Sequence, residues 1–87
     1  MIAHLGQVIN YKNKALIKAI GEHVRSLRIA KNISQLELAN EAEVPLSQIG
    51  RIERGEGNPT VSSLFIIADA LGVELKELID VKFKRSR

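Results

Sequence analysis

Apolar residues recur along this chain at helical intervals. At 100° per residue, Leu16, Ile20, Val24 and Leu27 share one stripe, which predicts an amphipathic helix from Asn13 to Lys31. Asn13 suits the capping position, and Arg28 lies beside the stripe, not opposite it. The pattern breaks at "NIS". Ser34 followed by Glu37 forms a capping box, in which the hydroxyl accepts from an orphan backbone N–H and the carboxylate reaches back. A short helix, Gln35 to Ala42, follows, with Leu38, Ala39 and Ala42 on one side. "EVP" turns the chain. Pro45 suits a helix start, because the N–H it lacks would be unpaired there.

A third helix runs from about Leu46 to Arg54. With Ile49 pointing inward, Ile52 and Pro45 fall within about 60° of it and make a core edge. Gly50, Arg54, Ser47 and Arg51 fall on the other side, at about 100° to 200°. That face is small near its start and cationic toward its end. "GEGNPT" reads as a loop, with Thr60 as a cap. A fourth helix, Val61 to Leu71, turns Val61, Leu64, Ile67, Ala68 and Leu71 inward, and Gly72 ends it as a left-handed cap. A last short helix covers roughly Glu74 to Ile79. Five helices with tight connections predict an all-α domain over residues 13–80, with an N-terminal extension, 1–12, and a basic tail, 81–87. The only strand signal is a weak one in "VKF".

Composition narrows the function classes. Eighty-seven residues make one small domain. Tyr11, Phe65 and Phe83 are the only aromatics, which argues against a base-stacking platform for single strands. Without cysteine there is no disulfide framework and no thiolate metal site, as expected of a cytoplasmic protein. The longest apolar run, Leu64 to Ala68, is far short of a membrane span, and "MIAHLGQVIN" lacks the features of a signal peptide. The net charge is +3, unevenly spread. Asn32 to Gly50 holds Glu37, Glu41 and Glu43 but no cation, whereas "VKFKRSR" carries Lys82, Lys84, Arg85 and Arg87. Such a tail either meets phosphate or is simply solvated.

Catalytic signals are weak. His4 stands in the N-terminal extension and His23 on the first helix beside Glu22, so a shared metal is not expected. No carboxylate pair has an apolar setting suited to acid–base work. Ser34, Ser47, Ser62 and Ser63 lack a nucleophile elbow, and "GEG" lacks the lysine of a phosphate loop. No enzyme activity, cofactor or metal is expected.

The second and third helices, joined by a short turn, have the spacing of a helix-turn-helix, whose second helix enters the DNA major groove. Ala39 sits where two backbones must approach, and Ile49 and Ile52 plug the core behind the third helix. Mid-helix Gly50 costs about 1 kcal/mol relative to alanine, which suggests a steric reason for it. The same spacing also fits a plain helical hairpin in a bundle.

The run "SQLELANEAEVPLSQIGRIERGEGNPTVSSLFIIADALGVELKELI", with "LRIAKNI" before it, resembles the lambda-repressor-like (Cro/XRE-type) helix-turn-helix family over about Val24 to Ile79. The resemblance rests on Leu27-Arg28, Ser34-Gln35, Leu38-Ala39, Val44, Ile49, Ile52-Glu53-Arg54-Gly55, Asn58-Pro59 and Ala70-Leu71-Gly72-Val73. It implies a five-helix, lambda-repressor-like domain and a sequence-specific regulator of transcription, of the repressor kind. By the same resemblance, Leu46, Ser47, Gln48 and Arg51 reach base edges, and Gln35, Arg54 and Asn58 hold phosphates. Arg28 and Glu53 form a structural ion pair. Two departures stand out. Glu43 occupies a turn position where the family has glycine; either it adopts a left-handed conformation, at about 1 kcal/mol of strain, or the turn differs. Pro45 replaces the usual Ser or Thr cap.

The implied partner is palindromic double-stranded DNA, read by a homodimer at half-sites roughly 34 Å apart. Ile66 points away from the fourth helix's core face and, with Phe65, is a candidate dimer contact, although a single exposed isoleucine is also ordinary. A rival reading is an antitoxin that binds a toxin through its termini and regulates its own promoter. A helical bundle without sequence preference is a second rival.

Overall fold

The computed structural model describes residues 13–83. They form five helices in the order α1 (Lys14–Ala30), α2 (Gln35–Ala42), α3 (Leu46–Glu53), α4 (Val61–Leu71) and α5 (Leu75–Leu78), with no strand among the described residues. The all-α expectation therefore holds. The last helix is shorter than expected: Glu74 precedes it with an extended backbone and no side-chain cap, and Ile79 falls outside helical geometry after it.

Local chemistry sets the boundaries. Asn13 Oδ1 accepts from the Leu16 amide at 2.9 Å and starts α1. Ser34 Oγ accepts from the Glu37 amide at 3.0 Å while Glu37 Oε1 accepts from the Ser34 amide at 2.8 Å, so the capping box is complete. Thr60 caps α4 by accepting from the Ser63 amide, and Gly72 ends it at φ 76°. Lys31 Nζ donates to the Leu71 carbonyl at 3.0 Å, which places a cation at the negative end of α4.

The core draws on every helix. Ile20 and Val24 of α1 meet Leu38 and Ala39 of α2, Ile49 and Ile52 of α3, Leu64, Ile67, Ala68 and Leu71 of α4, and Leu78 of α5. Leu78 is fully buried and gives the four-residue α5 its anchor, worth about 1.5–3 kcal/mol as a side chain taken out of water. His23 Nε2 lies 3.0 Å from the Glu77 carbonyl oxygen and adds a polar tie between α1 and α5.

Four inward assignments need correction. On α1 the buried face is Ile17, Ile20, Gly21, Val24 and Arg28, while Leu16 and Leu27 are only half-buried at its edge. The face is turned toward Arg28 because that side chain has a buried partner. Pro45 is exposed: it has an extended backbone ahead of α3, so helical angles do not apply to it, and half-buried Val44 packs on the core instead. Val61, at the first position of α4, is 71% exposed and stands outside the core cluster. Gly50 is buried, not bare. Val81, assigned to the tail, packs on the core. Residues 1–12, with His4 and Tyr11, and Lys84, Arg85 and Arg87 lie outside the described residues.

Candidate nucleic-acid interface

The turn between α2 and α3 sets the angle of the second helix. Glu43 adopts the left-handed conformation at φ 58° and ψ 45°, and the Val44 amide closes back on the Ala39 carbonyl at 3.0 Å. Of the two alternatives for the glycine-to-glutamate departure, strain at Glu43 is therefore the one realised. Pro45 gives no side-chain cap; its carbonyl accepts from the Gln48 amide at 3.0 Å. Ala39 is 1% exposed, leaving room for α3 to lie close against α2.

Ile49 and Ile52 hold α3 from behind, so its opposite face is presented to solvent. Leu46, Ser47 and Arg51 are exposed there, and Arg54 and Asn58 are exposed just after it. Gln48 is half-buried: its Nε2 donates to Ser63 Oγ at 3.3 Å, and Ser63 Oγ also accepts from Thr60 Oγ1 at 3.0 Å. These groups border a cleft of about 390 Å³ between α3, the loop 55–60 and the start of α4, with Arg51, Glu56 and Asn58 on its walls.

Behind α3 lies a buried polar cluster. Arg28 donates from Nε to Glu53 Oε2 at 2.7 Å, from Nη2 to Glu53 Oε1 at 3.0 Å, and from Nη1 to the Ile33 carbonyl at 2.9 Å. Gln35 Nε2 donates to Glu53 Oε1 at 2.9 Å. The carboxylate thus accepts three hydrogen bonds and ties α1, α2 and α3 together. The hydrogen bonds to Glu53 hold the Arg28 guanidinium above its ordinary pKa. Among the described residues no buried side-chain nitrogen or oxygen lacks a partner, so the cost of burying these charges is offset by full hydrogen bonding. The Arg28–Glu53 pair is present as expected, and Gln35, expected at phosphate, has one amide hydrogen committed to it.

At the exposed end of α3, Arg54 donates from Nε to Glu56 Oε2 at 2.9 Å and from Nη2 to Glu56 Oε1 at 3.3 Å. The Arg54 guanidinium, with a smaller contribution from Arg51, holds the Glu56 carboxyl below its usual range.

Two further residues shape this region, Gly21 and Glu56. Gly21 faces the carboxyl end of α3, where a Cβ would collide with the Ile52 carbonyl oxygen and lie 3.1 Å from that of Glu53. Its signal was visible: a glycine between Ile20 and Val24, on the buried side of a long helix. Glu56 is the other; its sequence position shows only that it follows the third helix.

The helix-turn-helix family model HTH_3 matches residues 24–78. The control protein C.BamHI of Bacillus amyloliquefaciens is 41% identical over 61 residues, covering 69% of this chain and 75% of that protein. The immunity repressor protein of Bacillus phage phi105 is 30% identical over 60 residues; the match covers 69% of this chain and only 42% of the repressor's length. Among solved structures, the restriction-modification controller protein C.AhdI from Aeromonas hydrophila superposes with a TM-score of 0.68 at 38% identity, covering 72% of this chain and 94% of that one. These relatives are named as repressors and controllers, and the antitoxin reading finds no support in them. With the motif residues in place around α2 and α3, the chain belongs to the Cro/XRE-type helix-turn-helix family.

Proposed function

We propose that this DNA-binding transcriptional regulator inserts α3 into the major groove of a palindromic operator, as a homodimer, and acts as a repressor. Repressor and control proteins among its relatives support the regulatory role. The observation that carries the docking is the outward face of α3, with Leu46, Ser47 and Arg51 exposed while Ile49 and Ile52 lock the helix from behind. The guanidinium of Arg51 suits the O6 and N7 atoms of guanine, and Leu46 suits a thymine methyl. Gln48, at the border of the same face, completes the base-reading set.

Gln35 stands at the first turn of α2, where backbone N–H groups are free to meet an anion. Its amide has two hydrogens; one is on Glu53, and the second is available to a phosphate. Asn58 is exposed beside the cleft and supplies another phosphate contact. No reaction is catalysed in this scheme. No helix among the described residues is long and apolar enough to cross a membrane, and the protein works in the cytoplasm, where the DNA lies.

Dimerisation is assigned to Phe65 and Ile66, which are 56% and 41% exposed on α4, together with Ile79 after α5, at 43%. Selection of bound duplexes from a random pool tests the reading as a whole. A palindromic consensus with half-sites about one DNA turn apart is expected; recovery of unrelated sequences overturns it.

A further inference from the structure

Three cations on α1 have no anion to hold. Lys14, Lys18 and Arg25 are exposed, and none of them makes an ion pair or a side-chain hydrogen bond among the described residues. Glu22, on the same helix, pairs with none of them. At 100° per residue, Lys14, Arg25 and Lys18 stand about 20°, 40° and 60° round α1 from Gly21, all to one side. They form a single stripe roughly 16 Å long. Lys14 and Lys18 are four residues apart, where like charges weaken a helix. Stability gives no reason for the stripe.

Its position does. Gly21 lies against the Ile52 and Glu53 carbonyls, so the stripe borders the carboxyl end of α3. The stem of Lys18 runs beside Gly55: its Cα, Cβ and Cγ are the three nearest atoms to a Cβ built there, at 2.9, 3.2 and 3.4 Å. Gly55 follows Arg54, which the family resemblance assigns to phosphate. Three residues beyond Arg25, Arg28 turns in to Glu53, which also holds Gln35, proposed above at a second phosphate. The stripe thus runs between two places where the DNA backbone is expected. Unneutralised cations on such an edge suit phosphates, which bring one negative charge per about 1.7 Å of duplex axis.

We infer that Lys14, Lys18 and Arg25 form a phosphate track along the edge of α1, extending the DNA contact beyond the helix-turn-helix. The inference rests on the groove docking of α3 proposed above. The track reads no base; it adds affinity and salt dependence on every duplex.

The test measures Kd for the selected operator and a scrambled duplex by fluorescence anisotropy, from about 50 to about 200 mM salt. The proteins are the wild type, Lys14→Gln, Lys18→Gln, Arg25→Gln and Lys76→Gln. Lys76 is the net-charge control, exposed on α5, which packs on α1 and α4. Each stripe variant is expected to weaken both duplexes alike and to reduce the slope of log Kd against log salt by about 0.9. Its deficit should therefore shrink about 3.5-fold across that salt range, with base discrimination unchanged. Melting temperatures should hold, or rise for Lys18→Gln, which removes the repulsion from Lys14, so the loss is not one of folding. Lys76→Gln should keep the wild-type slope. If the stripe variants keep it too, or if all four variants shift it equally, the stripe does not touch phosphate and the inference falls. A changed mass in sedimentation equilibrium at unchanged slope would give the stripe to a second copy of the chain and overturns it equally. If Arg51→Ala then still relaxes one base pair, the docking survives that failure. A wild-type protein with no base preference overturns both.

Discussion

Gly21→Ala is a small change with a large expected effect. The added methyl would lie against two main-chain carbonyl oxygens at the end of α3, those of Ile52 and Glu53. Neither can turn away as a side chain would. To restore ordinary contact, α1 and α3 must separate by on the order of 1 Å. The separation loosens Ile20 and Val24 against Ile49 and Ile52 and lengthens the 2.7 Å bond between Arg28 and Glu53. Overpacking of a core typically costs about 1–3 kcal/mol, and a main-chain clash belongs at the upper end. Alanine's better helix propensity returns about 1 kcal/mol. The net loss is about 2 kcal/mol, or a fall in Tm of roughly 8–16 °C for a domain of this size. Urea denaturation followed by circular dichroism measures it as a lower midpoint at unchanged slope. Gly50→Ala is the matched control: the same atom added to a neighbouring helix meets only the tip of a flexible arginine, and a gain of up to about 1 kcal/mol is expected. Equal stabilities for the wild type and Gly21→Ala would refute the close crossing of α1 and α3.

Other outcomes follow from named contacts. Glu43→Gly should stabilise the fold by up to about 1 kcal/mol in the same denaturation assay, since it relieves a left-handed glutamate at φ 58°. Glu53→Gln should destabilise by about 3–5 kcal/mol, because it leaves the buried Arg28 charge without its counter-ion. Gln35→Ala should weaken operator and scrambled duplexes alike and reduce the slope of log Kd against log salt, measured by fluorescence anisotropy. Ile66→Arg should lower the weight-average mass in sedimentation equilibrium, and an unchanged mass argues against the α4 interface. The carboxyl of Glu56 is depressed by Arg54, so the pair is intact above the ordinary carboxylate range and is lost only as pH falls through that lowered value. The Arg54 side-chain Nε–H signal in NMR spectra should accordingly keep its position from about pH 8 to about pH 5.

Much of the scaffold was legible because it is written in local chemistry. The caps at Asn13, Ser34, Thr60 and Gly72 need only a few neighbouring residues to act, and all four behave as their sequence positions imply. The inward isoleucines of α3 were equally plain from spacing. Errors arose where burial depends on a distant partner. The buried stripe of α1 turns toward Arg28 because Glu53, far along the chain, waits there. Pro45 has an extended backbone, so helical spacing says nothing about where it points. At the candidate interface, the chemical types on α3 were readable, but their internal engagements were not. Gln48 to Ser63, Gln35 to Glu53 and Arg54 to Glu56 are pairings of long side chains across loops, which no single-helix pattern encodes.

The central claim concerns one face of one helix, and chemical-shift mapping tests it directly. Selected operator duplex would be titrated into isotopically labelled protein, and amide shifts followed residue by residue. The account predicts the largest changes at Leu46, Ser47, Arg51 and Arg54, with a second group at Gln35 and Asn58. Changes centred instead on the acidic outer face of α2, at Glu37 and Glu41, with α3 silent, would contradict it.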